Sequence, residues 1–429
     1  MLTDSEKRVL ALIDQGRDDI VKFLTTLIGF KTVTPLEGES AKGDDYKKLQ
    51  DFVSGTLKEL GFGIDRWEAD ARELKSSPGA GVDPNRDLSN MPIVAGRRPG
   101  TKKGRSLILN GHYDVVPPGQ RESWTNDPFE AVVRDDVLYG RGANDMKGGI
   151  AAMIQAVRFI LKAGVEPGGE IIVQTVPDEE ATCMGTLSCC QRGYKADAAV
   201  IPEPTDMKVM IAMRGNAGGS ITVFGRAGHA ELAQPHWSEG GAVNAISKAV
   251  KVIRGLEELA EEWRTRPDKQ HKLLDPDTIM PTAIEGGEWA VTYPEKVEIT
   301  YDAVFIPSTK NLPQEIAEKV RRVAECDPWM RENPPRLESA EWEYGAEISE
   351  DEPIARLGIE ALGELGLEPG FMGFGSLSDG IHLINYSKVP TISIGPSLRT
   401  AHMADELVSI EELVNTTKAI ALIIMRWCR

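Results

Sequence analysis

In GHYDVVPPG, residues 111–119, an imidazole and a carboxylate lie two apart, directly after the apolar run SLILN. Residues i and i+2 of a strand point to one face, so His112 and Asp114 reach the same place. The prolines behind them stop the strand and fix its exit. Such a pair is either a metal ligand with its orienting carboxylate or a salt-bridged pair closing a strand, and by itself it leaves both readings open. Other acidic and imidazole groups follow the same plan. Asp145 lies in GRGANDMKGG; Asp178, Glu179 and Glu180 follow the apolar run EIIVQTV; Glu203 follows AAVI in IPEPTD. His402, in AHMADE, comes after TISIGP. Singly, each has an ordinary explanation: Asp145 as a helix N-cap, the DEE run as a solvated loop, His402 as a surface histidine. Their shared position after apolar segments is hard to assign to chance, because sites in open α/β sheets form at the carboxyl ends of strands.

The chemistry follows from charge. Four or five carboxylates cannot all ionise side by side unless cations neutralise them. Imidazole and carboxylate donors suit Zn²⁺ first, with Co²⁺ or Mn²⁺ accepted by the same set, and a site without thiolates fits catalytic rather than structural zinc. Two such ions clamp a water and polarise a carbonyl. One carboxylate that is not a ligand then serves the water as general base.

These groups need elements to hold them. Helical periodicity covers about 5–28 and 41–60, and GFGIDRWEAD reads as a strand before a Gly/Pro/Asp/Asn-rich loop at about 76–91. MPIVAGRRPG and SLILNGHYDVV are two strands parted by GTKKGR. A helix runs through ANDMKGGIAAMIQAVRFILKAG, with Ile150, Met153, Ile154, Val157, Ile160 and Leu161 on one face. Strands alternating with helices predict an α/β fold with a mostly parallel sheet flanked by helices. The character changes near Arg214. Residues 215–333 read as an inserted α+β domain, a small antiparallel sheet with helices on one side. The α/β style then returns with the helix PIARLGIEALGEL, the strand VPTISIGP and a final helix IEELVNTTKAIALIIMRW. The expected arrangement is a discontinuous catalytic domain, 1–214 and 334–429, carrying the insert.

Composition bounds the partners. The 429 residues carry a formal net charge of −17, which argues against nucleic acid and anionic membranes as partners. No apolar stretch approaches the roughly 18 residues of a bilayer span, and the amino-terminal segment reads as an amphipathic helix rather than a signal peptide. Five cysteines, an odd number without CxxC spacing, argue against a disulfide framework and for a reducing, cytoplasmic setting.

The motifs GHYDVVPPG, GRGANDMKGG, DEEATCMGT, EPTD and AHMADE, in that order, resemble those of the dinuclear zinc amidohydrolases and peptidases. That family includes acetylornithine deacetylase, succinyl-diaminopimelate desuccinylase, aminoacylase and glutamate carboxypeptidase. The resemblance implies a zinc-peptidase α/β domain with an inserted dimerisation or lid domain, and hence a homodimer. It implies that His112 and Glu203 bind one metal, Glu180 and His402 the other, and that Asp145 bridges both. Glu179 is then the general base and Asp114 the group that orients His112. His229, in GRAGHAE, matches a lid histidine that reaches the other subunit's active site and stabilises an oxyanion. Two positions depart from the pattern: where relatives use an Asn and an Arg of the insert to hold a substrate carboxylate, this chain has Val291 and Val304. Valine cannot replace a guanidinium fork. Arg214, Arg399 and Ser378, the last in GFMGFGSLSDGIHL, are the substituted candidates for contact with a small-molecule substrate. The resemblance implies hydrolysis of a C–N bond, first among readings the removal of an N-acetyl or N-formyl group from an amine or amino-acid-like substrate. Hydrolytic deamination of an aromatic amine such as an aminobenzoate is an alternative, as is a dipeptidase or carboxypeptidase. A non-catalytic binding protein is disfavoured because the full ligand set and Glu179 are present.

Overall fold

The structure, a computed structural model, describes residues 1–36, 38–75 and 79–429, with only the strand course for 339–341. The start of the expected loop, 76–78, lies outside the described residues.

Short apolar runs build the main sheet. Ile171–Val176, Leu107–His112, Ala198–Ile201 and Thr391–Ser393 lie side by side, every pairing among them parallel. All four are buried on both faces, which is why they read as continuous apolar runs rather than as alternation. Antiparallel Gly63–Trp67 and Ile93–Arg98 extend one edge. Val209–Met213, Ala346–Glu347 and Phe371–Phe374 complete the nine strands at the other. Helices cover the sheet. Lys147–Lys162 is apolar nearly all round because it lies between the sheet and the helices Arg17–Ile28 and Ile410–Trp427. Each fully buried Leu or Ile of that layer contributes about 1.5–3 kcal/mol. The long helix expected over 5–28 is two helices, Asp4–Gln15 and Arg17–Ile28, meeting at Gly16.

A second, four-stranded antiparallel sheet has the order Thr278–Gly286, Lys296–Phe305, Gly215–Phe224, Arg336–Glu343. Its core packs against Ala245–Thr265 and Leu312–Glu325. The strand Arg336–Glu343 carries this layer past the expected boundary at 333. Its sequence, RLESAEWE, shows no alternation, and it becomes a strand through its ladder to Gly215–Phe224.

The third sheet is small: Leu407–Ser409, Val137–Tyr139 and Val132–Arg134. It joins two distant stretches of chain, the loop ahead of Lys147–Lys162 and the loop ahead of Ile410–Trp427.

Candidate metal centre

Because the four central strands run parallel, their carboxyl ends share one edge. His112 ends the first of them; Glu179 and Glu180 follow Val176; Glu203 follows Ile201; His402 lies beyond Ser393. Asp145 arrives differently from the strand-end expectation. It sits in the loop between the small sheet and the helix Lys147–Lys162, and that helix start lies against the Glu203 loop. A Cβ at Gly149 would stand 2.2 Å from the Pro202 carbonyl oxygen, so only glycine allows this approach.

The side chains converge in two groups that share Asp145. His112, Asp145 and Glu203 offer ligand atoms within 4.8 Å of one another, as do Asp145, Glu180 and His402. Asp145 Oδ1 is 3.2 Å from His112 Nε2, and its Oδ2 is 3.4 Å from His402 Nε2. Glu203 Oε1 is 3.6 Å from His112 Nε2, and Glu180 Oε2 is 2.9 Å from His402 Nε2. Glu179 belongs to neither group, yet its Oε2 lies 3.7 Å from His112 Nε2.

His112 is oriented by its own strand end. Its Nδ1 stands 3.0 Å from the Asp114 backbone carbonyl, an atom that only accepts, so Nδ1 carries the proton and Nε2 faces the cluster. The Asp114 carboxylate is farther from that ring, 3.6 Å from Nδ1. It also accepts from Thr34 Oγ1 at 2.7 Å and from the backbone N–H groups of Glu179 and Glu180, both at 3.3 Å. Asp114 therefore ties the segment bearing both glutamates to the strand end of His112.

Electrostatics fit cations. Burial pushes the carboxyl groups of Glu179 and Glu203 well above the ordinary range, and neighbouring carboxylates add to it. Glu180 is raised by burial and by Asp145. Hydrogen bonds to Asp145 and Glu180 push His402 up to about 10. Glu180 Oε1 and Glu203 Oε1 are buried without a hydrogen-bond partner among the described residues. Such crowded anions with idle lone pairs and two imidazoles form a donor set for two divalent ions.

Three supporting groups escaped the sequence reading. Glu406, the last residue of AHMADE, accepts from the backbone N–H groups of Gly142, Asn144 and Asp145 at 2.9–3.0 Å and from Arg141 at 2.8 Å. It fixes the Asp145 loop against the His402 loop, and the acidic ending of AHMADE was the available signal. Arg141 itself is buried. Arg86 pairs with buried Asp178 at 2.6 Å, on the turn leading into Glu179. Arg141→Ala would leave buried Glu406 with its three backbone donors but without its countercharge, so we expect a loss of about 3 kcal/mol in denaturant unfolding. A change below about 1 kcal/mol would mean that water replaces the guanidinium.

The other expected residues belong to neither ligand group. Arg214 is buried and donates to the carbonyls of Pro276 and Val304, bracing the second sheet. Arg399 is exposed and donates to Ser397. Ser378 is buried, and its hydroxyl has no partner among the described residues. His229 is exposed in the loop after Gly215–Phe224, where its backbone bridges to that of Thr292. A cavity of about 550 Å³ lies over the cluster, walled by Glu179, Glu203, His402, Asn216, Phe374 and Leu377.

Residues 108–426 match the sequence profile of Peptidase family M20/M25/M40. The chain is 32% identical to an N-formyl-4-amino-5-aminomethyl-2-methylpyrimidine deformylase of Bacillus subtilis (strain 168), over 97% of this chain and 96% of the relative. It is 31% identical to a succinyl-diaminopimelate desuccinylase of Bordetella avium (strain 197N), over 73% of this chain and 81% of that one. Its fold is similar to that of a tripeptidase of Staphylococcus aureus, with TM-score 0.74 and 18% identity over 96% of this chain and 99% of that one. The profile match and the full-length likeness meet at the same conclusion as the side-chain cluster: the chain belongs to Peptidase family M20/M25/M40 and is a hydrolase acting on C–N bonds.

Proposed function

We propose that the chain removes a formyl group from the amine of a small heteroaromatic substrate, using two divalent ions, Zn²⁺ first among them. The observation that carries this reading is the pair of ligand groups sharing Asp145, with Glu179 beside them and outside both. The deformylase relative, similar along its whole length, supports the choice of acyl group and amine. In this reading His112, Asp145 and Glu203 hold one ion, and Asp145, Glu180 and His402 the other. When bound, the ions supply Lewis acidity toward the formyl oxygen and acidify a water. Glu179 accepts a proton from that water as its oxygen adds to the formyl carbon. It then returns the proton to the nitrogen as the C–N bond breaks, leaving formate and the free amine. Asp114 keeps Glu179 in place through its backbone N–H.

The insert is the proposed dimerisation and lid domain. Support comes from its outer strand Thr278–Gly286, which among the described residues pairs on one side only and carries exposed Met280 and Ile284; Trp289 and Leu232 of the insert are also exposed. His229 is an exposed residue of this insert, and in this reading it acts on the active site of another subunit. All five cysteines are free, which supports a reducing cytoplasm. No helix among the described residues is long and apolar enough to cross a membrane.

The test is a panel of N-formyl aminomethylpyrimidines, N-acetyl and N-formyl amino acids, dipeptides and aminobenzoates, run with Zn²⁺, Co²⁺ and Mn²⁺. The expected result is the highest kcat/KM on the formylated pyrimidine. Preference for an acyl amino acid would overturn the choice of amine, and ammonia release from aminobenzoate would overturn deacylation.

A further inference from the structure

A second cavity, about 800 Å³, adjoins the metal cavity and shares Glu180, Ala181, Asn216 and Leu377 with it. Glu343 lines it from the end of the strand Arg336–Glu343. The residue is only 5% exposed, and its Oε2 has no hydrogen-bond partner among the described residues. His382 Nε2 is 3.9 Å from Oε1, beyond hydrogen-bonding reach. The backbone is shaped around this carboxyl group. Gly81, at φ +64°, passes so close that a Cβ there would stand 2.0 Å from Oε1. Two backbone bonds hold that passage: Gly81 N–H to the Trp342 carbonyl at 3.1 Å, and Tyr344 N–H to the Gly79 carbonyl at 3.0 Å.

Leaving a buried carboxyl oxygen unpartnered is costly unless a ligand completes it. Burial pushes Glu343 well above the ordinary carboxylate range, and Asp379 and Asp178 add to it. A neutral acid presents an O–H donor and a carbonyl acceptor side by side. Among the described residues, the walls of both cavities hold one guanidinium and no lysine. That guanidinium, Arg86, is committed to Asp178 and the Pro35 carbonyl. The one guanidinium in these walls is thus already paired and is a poor receiver for a substrate carboxylate.

We propose that Glu343 is a specificity-determining residue that pairs with a cyclic amidine edge of the leaving amine. The ring nitrogen of such an edge accepts, and the adjacent exocyclic amino group donates, as in a 4-aminopyrimidine. This inference rests on reading the neighbouring metal cavity as a deacylase site.

The experiment compares metal-loaded wild type, E343L and E343Q on the N-formyl derivative of a 4-amino-5-aminomethylpyrimidine and on N-formylbenzylamine, whose ring lacks both the accepting nitrogen and the amino group. Wild type should favour the amino substrate by about 10²-fold in kcat/KM, and E343L should lose that margin while changing the other substrate by less than about threefold. E343Q should retain most of the preference, because a primary amide also offers a donor beside an acceptor. Equal losses on both substrates in E343L would assign Glu343 a structural role and overturn the proposal. If E343L does not fold, the wild-type comparison decides, and equal kcat/KM on the two substrates would overturn the proposal. If wild type hydrolyses no formamide, calorimetry with 4-aminopyrimidine separates the two claims. Binding that E343L abolishes would uphold Glu343 and fell the deacylase reading; no binding to wild type would fell both.

Discussion

Glu179→Gln is expected to lower kcat by about 10²–10⁴-fold while leaving the bound metal in place. Glutamine keeps the shape and the backbone N–H that Asp114 receives, but it cannot take a proton from water. Glu179 lies outside both ligand groups, so its loss spares the coordination. Burial and the nearby Glu203 and Glu180 raise its proton affinity, which suits a group that takes a proton and returns it. Steady-state kinetics with metal analysis of the same sample provide the check. Undiminished turnover would remove Glu179 from the base role. Lost metal would make it a ligand.

Asp145→Ala is expected to abolish both ions and turnover together. Asp145 is the one residue common to the two groups, with one oxygen toward His112 and the other toward His402. Without it each ion keeps two protein donors, below the three of a catalytic zinc site. Glu180→Gln should act more narrowly, weakening the ion next to His402 and sparing the one next to His112. Metal content per chain, measured after gel filtration, distinguishes the two variants. If Asp145→Ala kept both ions bound, Asp145 would not be the bridge.

Most of the proposed ligands stand out in the sequence because they follow a buried run and break its apolar character. His112, Glu179, Glu180 and Glu203 stand at ends of parallel strands, where apolar sequence and chemistry are easily separated. Asp145 was legible from GRGANDMKGG, but its route was not, since the three-residue strands that deliver it carry little periodicity. The Arg141–Glu406 pair spans 265 residues, and no local pattern announces such a contact. Thr278–Gly286 contains a proline and is exposed along most of its length, so it lacks strand alternation. The substrate side was least legible. Arg214 looked free in the sequence yet is spent on backbone carbonyls, whereas Glu343 sits in a polar run that gives no sign of burial.

The most direct measurement is a titration of chelator-stripped enzyme with Zn²⁺, following formate release from an N-formyl aminomethylpyrimidine and bound metal in parallel. Negligible release is expected without metal, and full activity when two ions occupy each chain. Formate release by the stripped enzyme, or a metal-loaded enzyme that never releases formate, would contradict the proposed function.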